Sequence, residues 1–301
     1  MKITRILLAG VISLCAGGAA PAWAGGSVTV AYAGSMGVVM DRGLGPAFTA
    51  ASGTRFHGIG QAAMGLAHLI VSKTMAADVF VSVSAAPAEL VERAGFASQA
   101  VPVASTAMVL AYSPKSRFAA AFAAAKNGGW TKILDNPALR FGRTDPAVDP
   151  QGQYVLFTLQ LAQAYYKLPG FAAQVAGAPG NPAEIFAEPS LLARLQDGQI
   201  DATLSYKSAV ISQHLPYMNL PPQINLSSPA FASAYRRAAL TLTLKGMRRT
   251  LHPRPLVFYA QVLKNAPDPQ AAQAFMAFLS GPQGQKILAR DGYGPGLGKR
   301  L

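Results

Sequence analysis

The stretch V-T-V-A-Y-A-G-S-M-G-V-V-M, residues 28–40, decides the fold class of this chain. Residues 28–33 form a short apolar run of the kind that makes a buried strand. The run enters the tetrapeptide G-S-M-G at 34–37, and a helical pattern follows over 38–51. A strand that passes directly into a helix is the repeating unit of α/β proteins.

The same alternation continues along the chain. Residues 77–82 have the pattern of a strand and 86–94 that of a helix, so we expect parallel sheets with helices on both faces. The extended stretch 101–112 is predicted to cross from one lobe to another. A chain of 301 residues is long enough for two domains. The sequence therefore predicts two α/β lobes joined by crossing strands.

The first residues have the parts of a secretory signal. Lys2 and Arg5 precede an apolar run over 6–16, and the small-residue pattern A-W-A at 22–24 follows. We expect cleavage after Ala24 and export to the periplasm. No later apolar run reaches the roughly 18 residues of a spanning helix without Gly, Pro or a charge, so we expect the mature chain to be soluble.

The single cysteine, Cys15, lies inside this signal. A lipid-modified N-terminus at Cys15 is the alternative to its loss on cleavage, but a lipoprotein signal needs a small residue where Leu14 stands. After cleavage at Ala24 the chain contains no cysteine, so its stability must come from a sizeable core instead of disulfides.

The chain is strongly basic. Its 26 Lys and Arg against 13 Asp and Glu give a net charge of +13, which becomes +11 without Lys2 and Arg5. Such a surplus steers anions toward the protein. No run of basic residues exceeds two, as at Arg248-Arg249, so we expect anionic small molecules and no nucleic acid as partners.

The turn G-S-M-G at 34–37 places the Ser35 hydroxyl and free backbone N–H groups at a helix start, which is an anion site. An ordinary serine cap is the structural interpretation. A third interpretation is a relaxed nucleophile elbow, with Asp201 and His252 following in hydrolase order. That fold takes its oxyanion hole from strands before the elbow, and only the signal precedes this one, so we expect no enzyme.

Residues 58–63, G-I-G-Q-A-A, imitate a dinucleotide fingerprint with Asp78 at a loosely suitable distance. A nicotinamide cofactor is not expected in an exported protein, but a glycine-rich turn into a helix can still offer N–H groups to an anion. The histidines do not have metal-ligand spacing, and we predict no zinc site and no cofactor. They are His57, His68, His214 and His252.

Two helices of the second half begin with an acid followed by proline. Asp149 precedes Pro150 and a helix predicted over 151–166, and Glu188 precedes Pro189 and a helix closed by Gly198. Proline suits the first helical turn and an acid caps it, so capping is the structural interpretation of both acids. A role in ligand binding is the alternative.

The segment E-P-S-L-L-A-R-L-Q-D-G-Q-I-D-A at 188–202 continues into Y-K-S-A-V at 206–210, H-L-P-Y at 214–217 and L-P-P-Q-I-N-L at 220–226. With D-P-Q-G-Q-Y at 149–154 and A-G-S at 33–35, this succession resembles the extracellular molybdate/tungstate-binding proteins of ABC importers, in the branch of the archaeal tungstate binders. The resemblance runs over nearly the whole mature chain.

The resemblance implies a type II periplasmic binding protein of two α/β lobes, with the ligand in a cleft that closes around it. After the signal at 1–24, lobe 1 is expected to comprise 25–106 plus 240–301, and lobe 2 to comprise 107–239. The chain is expected to act as a monomer that delivers its anion to an ABC transporter permease in the inner membrane.

The resemblance also implies the ligand set. The Gly34-Ser35 turn would donate to an oxo group, and Tyr206 would reach the oxyanion. Asp149 and Glu188 would ligate the molybdenum or tungsten atom of the bound oxyanion itself. The second loop, at 58–63, departs from the family, because Ala62-Ala63 stand where the family has G-S. Only the Ala63 N–H could then donate a hydrogen bond to the anion.

Two carboxylates beside a tetrahedral dianion are repulsive unless they bond to its central atom, which molybdenum(VI) and tungsten(VI) allow and sulfur does not. Sulfate should therefore bind more weakly than molybdate or tungstate if both acids face the cleft. A receptor for another anion, sulfate-like or an organic acid, is the alternative within binding proteins, and a secreted serine hydrolase using Ser35 is the alternative outside them. The sequence leaves molybdate and tungstate equally open.

Overall fold

The computed structural model describes residues 26–244 and 246–301, apart from the side chains of Glu188 and Pro189. The predicted signal at 1–24, with Cys15 and the cleavage site, lies outside the described residues. The described residues contain no helix that is both long and apolar enough to span a membrane.

The described chain has strands of two to seven residues. They are β1 (Ser27–Ala33), β2 (Arg55–Gln61), β3 (Val79–Ser82), β4 (Val101–Ser105), β5 (Met108–Tyr112), β6 (Ala202–Tyr206), β7 (Tyr217–Asn219), β8 (Leu240–Leu244), β9 (Met247–Leu251), β10 (Val257–Val262) and β11 (Gly294–Pro295).

The helices lie between and after these strands. They are α1 (Gly37–Val39), α2 (Gly45–Ser52), α3 (Ala63–Val71), α4 (Ala85–Arg93), α5 (Ala119–Ala124), α6 (Trp130–Leu134), α7 (Pro150–Tyr165), α8 (Phe171–Ala176), α9 (Glu188–Asp197), α10 (Lys207–Ser212), α11 (Ala232–Tyr235), α12 (Pro269–Ser280) and α13 (Pro282–Arg290). A 3-10 turn, Gly34–Met36, precedes α1, and a π-helical turn, Met40–Leu44, joins α1 to α2.

The larger sheet has six strands in the order β11-β4-β10-β3-β1-β2. Strands β2, β1 and β3 are parallel, as the strand–helix alternation predicts, whereas β10 runs antiparallel to both β3 and β4. Strand β10 returns from the other half of the chain and so enters the sheet in the opposite direction. Apolar side chains of the sheet, such as Val30, Phe80 and Phe258, are fully buried under its helices.

The second sheet has the order β6-β5-β7, and here the expectation of parallel strands is wrong. Strand β5 pairs antiparallel with both β6 and β7. The physical reason is again a crossing, because β5 arrives directly from β4 of the first sheet. A parallel bridge from Phe141 to Ala202 lies beside β6.

The predicted crossing over 101–112 is confirmed as β4 and β5, separated by Thr106 and Ala107. On its way back from β7, the chain enters the first sheet through residues 252–256, which precede β10 and which we call the second crossing. The Thr106 N–H donates to Leu256 O at 3.2 Å, so the two crossings are hydrogen-bonded to each other. The connection between the sheets is therefore a pair of bonded segments.

The strands of the first sheet fall within residues 27–105 and 257–295. Those of the second sheet fall within residues 108–219. Strands β8 and β9 pair only with each other among the described strands. The sheets thus do not assign 240–251 to either lobe, and the predicted boundaries at 106/107 and 239/240 stay a prediction.

Residues 58–60 are not the turn that the dinucleotide-like pattern suggested, because they lie inside β2. A Cβ on Gly60 would come within 2.7 Å of the Tyr32 ring, and one on Gly58 within 2.7 Å of Asp41 Oδ1. Tyr32 donates a hydrogen bond to that same Asp41 oxygen at 2.6 Å. These glycines make room for the buried Tyr32 ring and its hydrogen bond to Asp41, which explains the pattern without a cofactor.

Candidate functional site

Two helix starts lie side by side at the carboxyl edge of the large sheet. Strand β1 leads into the 3-10 turn Gly34–Met36, and β2 leads through Ala62 into α3. Because β1 and β2 pair in parallel with Ala33 opposite Gln61, the two turns are neighbours. The first N–H groups of each helical segment have no partner within it, so both starts can donate to one anion.

The Ser35 turn is contacted by a tyrosine from the C-terminal part of the chain. The Tyr293 hydroxyl lies 3.5 Å from Ser35 O as a hydrogen-bond donor, and the Ser35 side chain is largely shielded from solvent. At the second start, Ala63 is buried and begins α3. Its side chain supplies no hydroxyl, and donation by its N–H to a ligand stays a prediction.

Helices of the second lobe close over this edge. The turn Gly34–Met36 contacts α9, whose first residue is Glu188, and α10, which follows Tyr206. The predicted residues Gly34, Ser35 and Tyr206 are therefore brought to one interface between lobes. The Glu188 side chain lies outside the described part of the structure, and its role as a ligand stays a prediction.

Tyr206 ends β6 and caps α10 while it is fully buried. The segment after it is fixed to the first crossing, because Lys207 N donates to Ala107 O at 2.8 Å and Ser208 Oγ donates to Thr106 Oγ1 at 3.0 Å. The Y-K-S segment thus joins the site to the connection between the lobes. The sequence did not single out Thr106, since a threonine after a strand is common.

Asp149 is the N-cap of α7, as the structural interpretation predicted. Its Oδ1 accepts a hydrogen bond from Gln151 N at 2.9 Å. Unlike an ordinary cap, Asp149 is only 3% exposed. Burial raises the pKa of this carboxyl from 3.8 to about 6, although hydrogen bonds from Gln151 and Thr144 favour the charged form.

A network that the sequence did not reveal fixes this cap. Gln151 Oε1 accepts from Thr144 N at 3.0 Å and from Thr144 Oγ1 at 2.8 Å, and Gln151 Nε2 donates to Leu204 O at 2.8 Å. Leu204 lies in β6, two residues before Tyr206. The network therefore connects the Asp149 end of α7 to the strand that carries Tyr206.

A second link uses the next turn of α7. The rings of Tyr154 and Tyr206 are in edge contact with centroids 6.4 Å apart, and the Tyr154 hydroxyl donates to Arg254 O at 2.9 Å. Arg254 lies in the second crossing and forms an ion pair with Glu89 of α4. Helix α7 is thus tied both to the tyrosine of the candidate site and to the opposite lobe.

The hydrolase triad does not form. Asp201 accepts from the Arg140 guanidinium at 3.0 Å through both carboxylate oxygens and from Ser116 Oγ at 2.8 Å. The Nδ1 atom of His252 faces the backbone carbonyls of Arg236 and Ala238, each at 3.0 Å. A triad needs that nitrogen bonded to the carboxylate, so sequence order alone was misleading here.

The described residues also contain no group of three or more His, Cys, Asp or Glu side chains that could hold a metal ion.

Comparison with known proteins gives relatives that are named as solute-binding, molybdenum-binding or molybdate/tungstate-binding proteins. An uncharacterised solute-binding protein of Petrotoga mobilis is 34% identical over 63% of this chain and 59% of its own length. A putative ABC transporter molybdenum-binding protein of Haloferax volcanii is 36% identical over 46% and 44%. The molybdate/tungstate-binding protein WtpA of Pyrococcus abyssi is 29% identical over 62% and 59%. The chain thus spans less than two thirds of the length of each.

Solved structures share the fold. The periplasmic molybdate-binding protein of Azotobacter vinelandii superimposes with a TM-score of 0.62 at 17% identity, over 90% of this chain and 100% of that one. The sulfate-binding protein SubI of Mycobacterium tuberculosis gives 0.60 at 15% identity, over 90% and 87%. The expected two-lobed type II binding-protein fold is confirmed, and the fold by itself does not choose the anion.

The resemblance inferred from the motifs at 149–154 and 188–226 is likewise confirmed, since these relatives are named a putative ABC transporter molybdenum-binding protein and a molybdate/tungstate-binding protein. Since the family model for bacterial extracellular solute-binding proteins matches residues 28–294, this chain belongs to that family.

Proposed function

We propose that this protein is a periplasmic receptor for molybdate or tungstate that releases its anion to the permease of an ABC importer in the inner membrane. The names of the Haloferax and Pyrococcus relatives support the ligand class. The neighbouring helix starts at Ser35 and Ala63, together with the +13 charge of the chain, favour an anion.

The observation that carries the ligand choice is the buried Asp149. A carboxylate that loses its hydration is costly, and it repels a bound dianion unless the two share a bond. Molybdenum(VI) and tungsten(VI) accept additional oxygen ligands, whereas the sulfur of sulfate does not. A buried acid linked to Tyr206 through Gln151 and Tyr154 therefore favours a metal oxyanion.

The test is calorimetry with molybdate, tungstate and sulfate on the wild type, Asp149→Asn and Glu188→Gln. We expect one-to-one binding of a metal oxyanion at micromolar affinity or better, about −8 kcal/mol. Each amide keeps the shape but removes an anionic ligand, so affinity for molybdate and tungstate should fall tenfold or more, about 1.4 kcal/mol. Sulfate should bind better to both variants, because its repulsion is relieved.

Melting temperatures of the empty variants separate ligand loss from misfolding. Unchanged or improved tungstate binding in both variants would mean that the acids are structural. Equal or stronger heat with sulfate on the wild type would favour the second candidate, a receptor for another anion. The observation that favours this candidate is Ala63, which supplies no hydroxyl where the resembling family has serine.

A further inference from the structure

The segment between Asp201 and Asp268 contains no acidic residue. Its basic residues are Lys207, Arg236, Arg237, Lys245, Arg248, Arg249, Arg254 and Lys264. Most of them fall within residues 236–254, which follow α11, contain the β8–β9 pair and extend into the second crossing. We call this segment the basic hairpin.

The charges of the basic hairpin are directed to solvent. Arg236, Arg237, Arg248 and Arg249 are all exposed. None of the four forms an ion pair with any residue that the structure describes, whereas Arg140, Arg143 and Arg254 each have a carboxylate partner. Arg236 and Arg237 precede β8, and Arg248 and Arg249 lie near the β8–β9 turn. These exposed cations raise the positive potential along the hairpin, which costs stability unless an anionic partner neutralises it.

The end of the hairpin adds an apolar element. Met247 pairs with Leu244 where the two strands meet, beside Gly246 at φ 77°. The Met247 side chain is 53% exposed, one of few large apolar side chains so exposed in the described chain. Along β9, Met247 is followed directly by Arg248 and Arg249, so an exposed apolar side chain lies next to two exposed cations.

We propose that the basic hairpin docks this protein onto an anionic phospholipid membrane. Guanidinium groups match phosphate oxygens with paired hydrogen bonds. A long flexible apolar side chain between them can enter the boundary between headgroups and acyl chains. An acidic protein surface would satisfy the arginines equally, but the protruding Met247 favours a soft, anionic and partly apolar surface.

This docking goes beyond the transport role. The importer lies in a membrane, and a receptor held weakly at the membrane surface searches two dimensions for it. The contact must be weak and reversible, since four unpaired arginines and one apolar side chain give only modest affinity at physiological salt.

The test is sedimentation of the purified protein with vesicles of phosphatidylcholine alone and with 30% phosphatidylglycerol, at low and high salt. We expect binding only to the anionic vesicles and its loss at high salt. Each arginine near the surface contributes about fivefold in partitioning, so Arg248→Gln with Arg249→Gln should weaken it about 25-fold. Met247→Ser should weaken it by a smaller factor.

The matched control is Arg42→Gln with Arg55→Gln, which removes the same charge from exposed arginines on the π-helical turn and β2. This control should retain vesicle binding within about twofold, and both double variants should keep their melting temperature and anion affinity. An equal loss in both double variants would overturn the proposal in favour of diffuse attraction by net charge. No vesicle binding by the wild type at low salt would also overturn it and leave an acidic protein as the partner.

Discussion

Helices α7 and α9 begin with the same acid–proline pattern, but their acids occupy different positions. Asp149 stands outside α7 with extended backbone angles, φ −130° and ψ 123°, and caps the Gln151 amide. At α9 the N-cap is Ala187, and Glu188 is already the first helical residue. Proline thus fixes the first turn of each helix without fixing which residue caps it.

The two starts also differ in how they are anchored. The start of α7 is buried and bonded to β6 through Gln151. At the start of α9 the Ser190 side chain makes a local contact, since Ser190 Oγ donates to Ala187 O at 3.0 Å. One acid–proline pattern is thus part of the core of a lobe, while the other lies where the lobes meet. The following predictions test this difference.

The largest expected effect on stability is at Gln151. Gln151→Leu leaves the buried Thr144 amide without its acceptor, at about 1–3 kcal/mol. It also removes one of two hydrogen bonds to Leu204 O, which still accepts from Thr203 Oγ1, at about 0.5–1.5 kcal/mol. We expect a loss of about 2–4 kcal/mol in the free energy of unfolding, measured by denaturant titration. Ser190→Ala is the counterpart at α9 and should change the unfolding free energy by less than about 0.5 kcal/mol. Similar losses in both variants would contradict the difference in anchoring.

Asp149→Asn should stabilise the empty protein at neutral pH. Asn caps about as well as Asp, and the pKa of the Asp149 carboxyl is raised from 3.8 to about 6. A raised carboxyl pKa stabilises the folded state below the unfolded value, and this contribution is lost as pH rises through about 6. The variant should therefore gain on the order of 2 to 3 kcal/mol over wild type at pH 8.

Near pH 4 that gain should largely vanish. Melting temperatures of both proteins across pH 4 to 8 provide the measurement. A constant difference between them at all pH values would mean that the carboxyl does not titrate as its burial implies.

Ligand affinity should depend on pH through the same group. Below about pH 6 the Asp149 carboxyl is increasingly protonated and ceases to be an anionic ligand. One pH unit below that value, affinity for molybdate should fall about tenfold relative to pH 8. Asp149→Asn lacks the titrating group and serves as the control, so its affinity should vary much less between pH 5 and 8.

Glu188→Gln should have the smallest effect on stability. Glu188 is in the first turn of α9 and is not its cap, so the substitution removes only a favourable interaction with the helix dipole, a few tenths of a kcal/mol. Unfolding of the empty variant by denaturant measures it. A loss above about 1 kcal/mol would mean that the Glu188 carboxyl has a structural role comparable to that of Asp149.

Local patterns predicted much of the fold. The strand at 28–33, the helix after Asp149-Pro150 and the crossing at 101–112 were all read correctly, since each depends on periodicity, proline or length over a few residues. The antiparallel second sheet was missed, because strand direction depends on which lobe a strand enters from. The β8–β9 hairpin was also missed, because the sequence analysis predicted no strand over residues 240–251.

For the candidate site, the residues could be proposed from the sequence, but the contacts between them could not. The motifs at 33–35, 149–154 and 206–210 indicated Ser35, Asp149 and Tyr206. The Gln151–Thr144–Leu204 network joins residues up to 60 positions apart, and no local pattern contains that information. The same limit made the hydrolase order of Ser35, Asp201 and His252 look plausible until the partners of Asp201 and His252 were seen.

The sequence alone determined the α/β fold class and the resemblance to solute-binding proteins, because strand–helix periodicity and family motifs are properties of contiguous residues. Only the tertiary structure decided that Asp149 is a buried cap with a raised pKa, that the glycines of β2 accommodate Tyr32, and that the arginines at 236–249 have no described partner. Burial, pKa and ion pairing depend on atoms that are distant in sequence and meet only when the lobes pack.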